Sequence, residues 1–192
     1  MGTKILGTVL AALILAASAY ADAIFTPGNH PQPDEENIHF THQTGPAVFG
    51  TTDVSGTMVD YLATTNLNAH GVNIDGPIVN ITIKVPGHDF EDYIVNAFNG
   101  GVPPDVVITT FMNDGKSFSS PMFGGHGNNF MTVTAGAGED IVSITITSPK
   151  GFASLDQNRI SGISVIPEPS SMLLLGGGLL GVAGVLRRKL RQ

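Results

Sequence analysis

Cysteine and tryptophan are both missing from the 192 residues, tyrosine occurs three times, and only 13% of positions are charged. Without cysteine there is no disulfide framework, no thiol nucleophile and no thiolate-held zinc, so a core must hold itself together by packing alone. With no tryptophan, and with Tyr20, Tyr61 and Tyr93 as the full set of tyrosines, rings of the kind on which sugars stack are few. Positive charge is scarce in the middle of the chain. Lys4 stands near the start and Arg187, Arg188, Lys189 and Arg191 crowd the end, which leaves Lys84, Lys116, Lys150 and Arg159 against fifteen acids over residues 22–165, a formal charge of −11. Such a domain repels phosphate, so nucleic acid is excluded as a partner.

Long hydrophobic runs occur at the two ends. After Lys4 comes the apolar run Ile5 to Ala17 and then Ala19-Tyr20-Ala21 before Asp22, the arrangement of a signal peptide over residues 1–21 with cleavage by signal peptidase after Ala21. The run is too short for a stable anchor, because about 20 apolar residues are needed to span the hydrocarbon core. At the other end, residues 166–192 contain Pro167-Glu168-Pro169, an uncharged apolar stretch over 172–186, and the basic end 187–192. The basic residues favour the cytoplasmic side and act as a stop. The two prolines keep the segment before the apolar stretch extended and open to a protease.

In these three parts and their order, the tail resembles that of the PEP-CTERM proteins, in which a Pro-Glu-Pro motif, a short transmembrane helix and an arginine-rich end form a sorting signal. The resemblance implies an exosortase as processing partner, cleavage near Pro167 to Pro169, and a Gram-negative host that makes exopolysaccharide. It also implies transient residence in the inner membrane, followed by delivery to the cell surface or beyond. Gly176-Gly177-Gly178-Leu179-Leu180-Gly181 spells a dinucleotide fingerprint, but it lies inside the apolar stretch and lacks the strand and soluble helix that the fingerprint requires.

Between the ends, residues 22–37 are rich in proline, asparagine and acids and read as a flexible leader. Residues 38–165 then alternate short β-branched runs with Gly, Pro, Asn and Asp clusters, with no helical periodicity. The runs are Ala47 to Thr51, Thr57 to Thr64, Ile78 to Val85, Tyr93 to Phe98, Val106 to Met112, Asn129 to Thr134, Ile141 to Thr147 and Arg159 to Ile166. In the third, Val79, Ile81, Ile83 and Val85 alternate with Asn80, Thr82 and Lys84, and Val142, Ile144 and Ile146 repeat the pattern. The expected fold is all-β, an antiparallel β-sandwich of jelly-roll type, with a closed barrel as the alternative. Phe49-Gly50-Thr51-Thr52, Pro86-Gly87-His88-Asp89-Phe90, Gly127-Asn128-Asn129-Phe130 and Arg159-Ile160-Ser161-Gly162 also resemble a recurrent passenger domain of PEP-CTERM proteins, a resemblance that implies the sandwich and no particular activity.

Chemistry is sparsely signalled. Asp89, Glu91 and Asp92 follow Pro86-Gly87 in one loop, where several carboxylate oxygens suit calcium, and Asp156 is similar in position to a structural calcium ligand of some jelly-roll carbohydrate-binding modules. A solvated acidic loop is the competing reading. His39 and His42 have metal-like spacing, yet on an extended strand they point to opposite faces. No nucleophile elbow is present, and no pair of carboxylates stands out for glycoside hydrolysis. The sequence thus suggests an exported, non-enzymatic envelope or matrix protein associated with exopolysaccharide, with a carbohydrate-binding module, with or without structural calcium, as the alternative.

Overall fold

A computed structural model describes residues 23–98, 105–122 and 129–165, and these fold into strands with no helix among them. The strands are β1 (Ala23–Pro27), β2 (Glu36–Thr52), β3 (Met58–Gly71), β4 (Asn73–Lys84), β5 (His88–Asp89), β6 (Asp92–Phe98), β7 (Val106–Met112), β8 (Ser117–Met122), β9 (Phe130–Ala135), β10 (Ile141–Ser161) and β11 (Ser164–Val165). Every pairing between them is antiparallel. The all-β antiparallel expectation therefore holds.

The 21-residue β10 organises the domain. One of its edges pairs first with β7, as at Ile146 and Ile108, and later with β6, as at Ile160 and Tyr93. Its other edge pairs with β4, as at Thr145 and Thr82, and then with β2, at Arg159 and Asn37. A strand of this length stays in contact with one core only by bending, and β10 bends at register shifts between Ile141 and Ser143, Thr147 and Phe152, and Asp156 and Arg159. Gly151 and Gln157 take positive φ within the second and third shifts. Because β10 is shared, the strands do not separate into two sheets. They form one hydrogen-bonded network of nine strands, in which the pairings β10–β2–β3–β4 return to β10, plus the small β5–β11 ribbon.

Apolar residues from all the long strands meet in a single cluster that includes Ile38, Tyr61, Ile81, Ile83, Phe90, Tyr93, Ile144 and Ile146. Each fully buried isoleucine contributes on the order of 2–3 kcal/mol of transfer free energy, offset by the entropy of ordering the chain. Two positions depart from the expected alternation. Ile78, not Val79, is buried on β4, and Ile141, not Val142, on β10. Both departures sit beside register shifts, where an extra residue turns the side chains that follow to the other face.

The leader expected to be flexible over 22–37 is, from Ala23 onward, part of the domain. β1 adds to β9 over Ala23↔Ala135 to Pro27↔Met131. Gly28 donates its N–H to Phe130 O at 2.8 Å, and His30 N–H donates to Thr132 Oγ1 at 3.1 Å. Polar bonds hold the segment, which is why its low hydrophobicity misleads. β8 was not expected either: its SFSSPM sequence has little strand character by itself, and the turn at Asn113–Lys116 folds it onto β7.

Candidate functional site

β5, the start of β6 and the turn before β10 bring acids to one corner of the domain. Asp89 and Asp92 are both buried, and each has a carboxylate oxygen without a hydrogen-bond partner. The other oxygen of Asp92, Oδ2, accepts from Ser161 Oγ at 2.8 Å. Burial, and then the nearby carboxylate of Asp140, push the Asp89 pKa up, while His88 opposes the shift. A cavity of about 180 Å³ opens beside this corner, lined by Glu91, Asp92, Glu139 and Asp140 together with residues 134–138.

Asp156 is not part of this corner. It lies on β10 opposite Asn73 and Asn96, and burial raises its pKa, helped by Asp75 and opposed by a hydrogen bond from Ser154 and by His70. The expected calcium set of Asp89, Glu91, Asp92 and Asp156 is therefore divided between two places. Among the described residues, no three His, Asp or Glu side chains are placed to hold a metal ion. His39 and His42 also separate: His39 Nε2 is 3.9 Å from Asp53 Oδ2, whereas the His42 ring stacks on His70 at 5.9 Å.

The tyrosines that would have served a sugar-binding face are inside. Tyr61 and Tyr93 are fully buried, and burial raises the pKa of both hydroxyls. Tyr93 Oη donates to Asn158 Oδ1 at 2.6 Å, whereas the Tyr61 hydroxyl has the Tyr93 hydroxyl as its neighbour and no partner of good hydrogen-bonding geometry. Among the described residues the exposed aromatic rings are those of Phe49 and Phe111, neither of which was expected to serve as a stacking ring. Their outward position follows from strand parity, since Val48 and Gly50, and likewise Thr110 and Met112, turn inward, and no alternation of apolar with polar residues marks it in the sequence.

The described chain ends on β11 at Val165, directly ahead of Pro167-Glu168-Pro169. The sorting motif, the apolar stretch 172–186, the basic residues Arg187, Arg188, Lys189 and Arg191, and Ala19 and Ala21 of the N-terminal segment lie outside the described residues, as do Gly127 and Asn128 of the third passenger-like motif. Among the described residues no helix is long and apolar enough to cross a membrane.

Comparison with known proteins gives no match among curated sequences. Among solved structures, the C-terminal receptor-binding domain of the avian reovirus fibre sigmaC, in its Zn crystal form, aligns over 76% of each chain at 9% identity, with a TM-score of 0.20. A superposition that loose says nothing about the fold or function of this chain. The family model of the PEP-CTERM protein-sorting motif matches residues 165–189, which takes in the Pro-Glu-Pro element, the apolar stretch and most of the basic end. The tail of the chain therefore carries a PEP-CTERM protein-sorting motif.

Proposed function

We propose that this protein is exported behind a signal peptide cut after Ala21, held briefly in the inner membrane by residues 172–186, and clipped near Pro167–Pro169 by an exosortase. The product is a non-enzymatic component of the cell envelope or extracellular matrix, associated with exopolysaccharide. The observation that carries this reading is the sorting motif at 165–189, which begins on the last described strand, β11. The jelly-roll assignment belongs to the same reading, and antiparallel strands closed around a single core through the shared β10 support it. Intact mass of the mature protein from its native host tests the proposal. A product starting at Asp22 and ending near Pro169 is expected, and a chain still ending at Gln192 in a strain that has the exosortase would overturn it.

A carbohydrate-binding module is the second reading. Burial of Tyr61 and Tyr93 removes the rings first considered for it, and the exposed pair Phe49 and Phe111 supports it in their place.

A further inference from the structure

Two neighbouring rows that cross β2, β3, β4, β10, β7 and β8 on their outer side are almost without charge in a domain of formal charge −11. Register across the strands sets Phe49 opposite Asp60, Asp60 opposite Lys84, and Ser143 opposite Phe111. Asp60 and Lys84 are the acid and the base of these rows, and as cross-strand neighbours they offset one another. In the adjacent row Thr82 faces Thr145, Thr145 faces Thr109, and Thr109 faces Ser119. The hydroxyls of Thr82 and Thr145 are 3.1 Å apart, and those of Thr109 and Ser119 are 2.8 Å apart.

Threonine is common on half-buried sheet faces, so a hydroxyl row alone signals nothing. Two further features distinguish this face. Phe49 and Phe111 are 47% and 42% exposed, where a phenylalanine without a partner is held in water at a cost. They also stand four strand steps apart on one face, about 19 Å at the usual strand spacing, on either side of the neutral rows.

We propose that this face binds an uncharged polysaccharide lying across the strands, with sugar rings stacked on Phe49 and Phe111 and sugar hydroxyls bonded to the Thr82–Thr145–Thr109–Ser119 row. Threonine and serine hydroxyls both donate and accept, as sugar hydroxyls do, so either polarity of bond is available along the row. The charge balance selects the ligand class. A polyanion is repelled by the acidic domain, and a polycation meets in these rows one acid already beside a lysine. A neutral, hydroxyl-rich polymer carrying apolar C–H surfaces matches both the rings and the row. The inference rests on the carbohydrate-binding reading and gives it a location and a ligand class.

Affinity electrophoresis of the full chain purified in detergent tests it. The gels would contain hydroxyethyl cellulose, or the neutral fraction of the native host's exopolysaccharide, with alginate as the polyanion. Retardation is expected in at least one neutral matrix and not in alginate, with a loss of about tenfold in apparent affinity for the F49A/F111A double variant. Tyr61→Phe, whose side chain points from β3 into the core, should migrate as the parent, and matching thermal melts establish that the variants fold. Absence of retardation in both neutral matrices, retardation in alginate alone, or a double variant that migrates as the parent would each overturn the proposal. So would a double variant that merely converts a dimer to a monomer, because the face would then be an interface between copies. None of these outcomes bears on tail processing, which intact mass reads separately.

Discussion

Arg159 on β10 and Glu35, in the segment before β2, form an ion pair with Nη1 to Oε1 at 2.5 Å, both side chains largely shielded at 13% and 14% exposure. The same guanidinium donates from Nη2 to Asn29 Oδ1 at 2.6 Å and lies 5.6 Å from the centre of the Phe130 ring. One side chain thus ties an acidic, proline-rich segment to β10, the strand that pairs with β2, β4, β6 and β7. This is the tertiary reason that the segment is ordered.

Removing one member of that pair should be costly, because the other is left shielded from water with its charge unmet. Glu35→Ala and Arg159→Ala are each expected to destabilise by about 2–4 kcal/mol. In a double-mutant cycle by urea denaturation the two effects should be strongly non-additive, and simple additivity would show that the pair is not coupled.

Gly50 on β2 lies against the core with no room for a side chain. A Cβ there would stand 2.3 Å from Ile38 Cγ2 and 2.9 Å from Phe40 Cε1. Gly50→Ala is expected to cost about 1–3 kcal/mol through overpacking, read as a lower urea midpoint with an unchanged slope. A neutral result would mean that Ile38 and Phe40 can move aside.

The two buried tyrosines should respond differently to loss of the hydroxyl. Tyr93→Phe leaves Asn158 Oδ1 without its donor and is expected to cost about 1–3 kcal/mol, whereas Tyr61→Phe removes a hydroxyl without a good partner and should be neutral or slightly stabilising. Thermal melts of the two variants side by side decide this, and equal losses would contradict it.

Asp89 has a pKa above its ordinary 3.8 because burial, and then Asp140, disfavour its charge. A group whose native pKa is raised contributes stability that is fully present below the unfolded pKa and lost as pH rises through the native one. Asp89→Asn should therefore raise the melting temperature at pH 7, and the advantage should vanish below about pH 4. Melts across pH 3–8 would show it, and a variant less stable than the parent at pH 7 would refute it. Glu36 works in the opposite direction: burial favours its neutral form, but hydrogen bonds from Ser55, Thr52 and Val54 prevail and lower its pKa, so its contribution is lost as pH falls.

Because the acids proposed for calcium sit at two separate places, millimolar calcium should leave the melting temperature unchanged relative to chelator. A ligand specific for the folded state must raise it. A calcium-dependent rise would restore a metal site at the Asp89–Asp140 corner.

The legible parts of the fold were those with a local pattern. Each of the eight expected runs overlaps a strand, and Val106–Met112 has the expected ends, because alternation reports a sheet face residue by residue. Sites were less legible. Asp89 and Asp92 are near in sequence and share a corner, whereas Asp156 has a comparable local setting in another part of the sheet. Several passenger-like motifs prove to hold structure: Gly50 allows close packing, Arg159 holds Glu35, and Gly162 turns at φ 64° where a Cβ would strike Glu91.

The sorting tail, the acidic balance and the all-β character follow from the sequence alone, since each depends on composition or on order along a short stretch. Which hydrophobic residue of Ile78–Val79 or Ile141–Val142 points inward, whether the leader is ordered, and which aromatic rings reach solvent were decided by the tertiary structure. The reason is common to all three: a bulge, a distant ion pair or a shared strand edge is a relation between residues far apart in the chain, and no local pattern carries it.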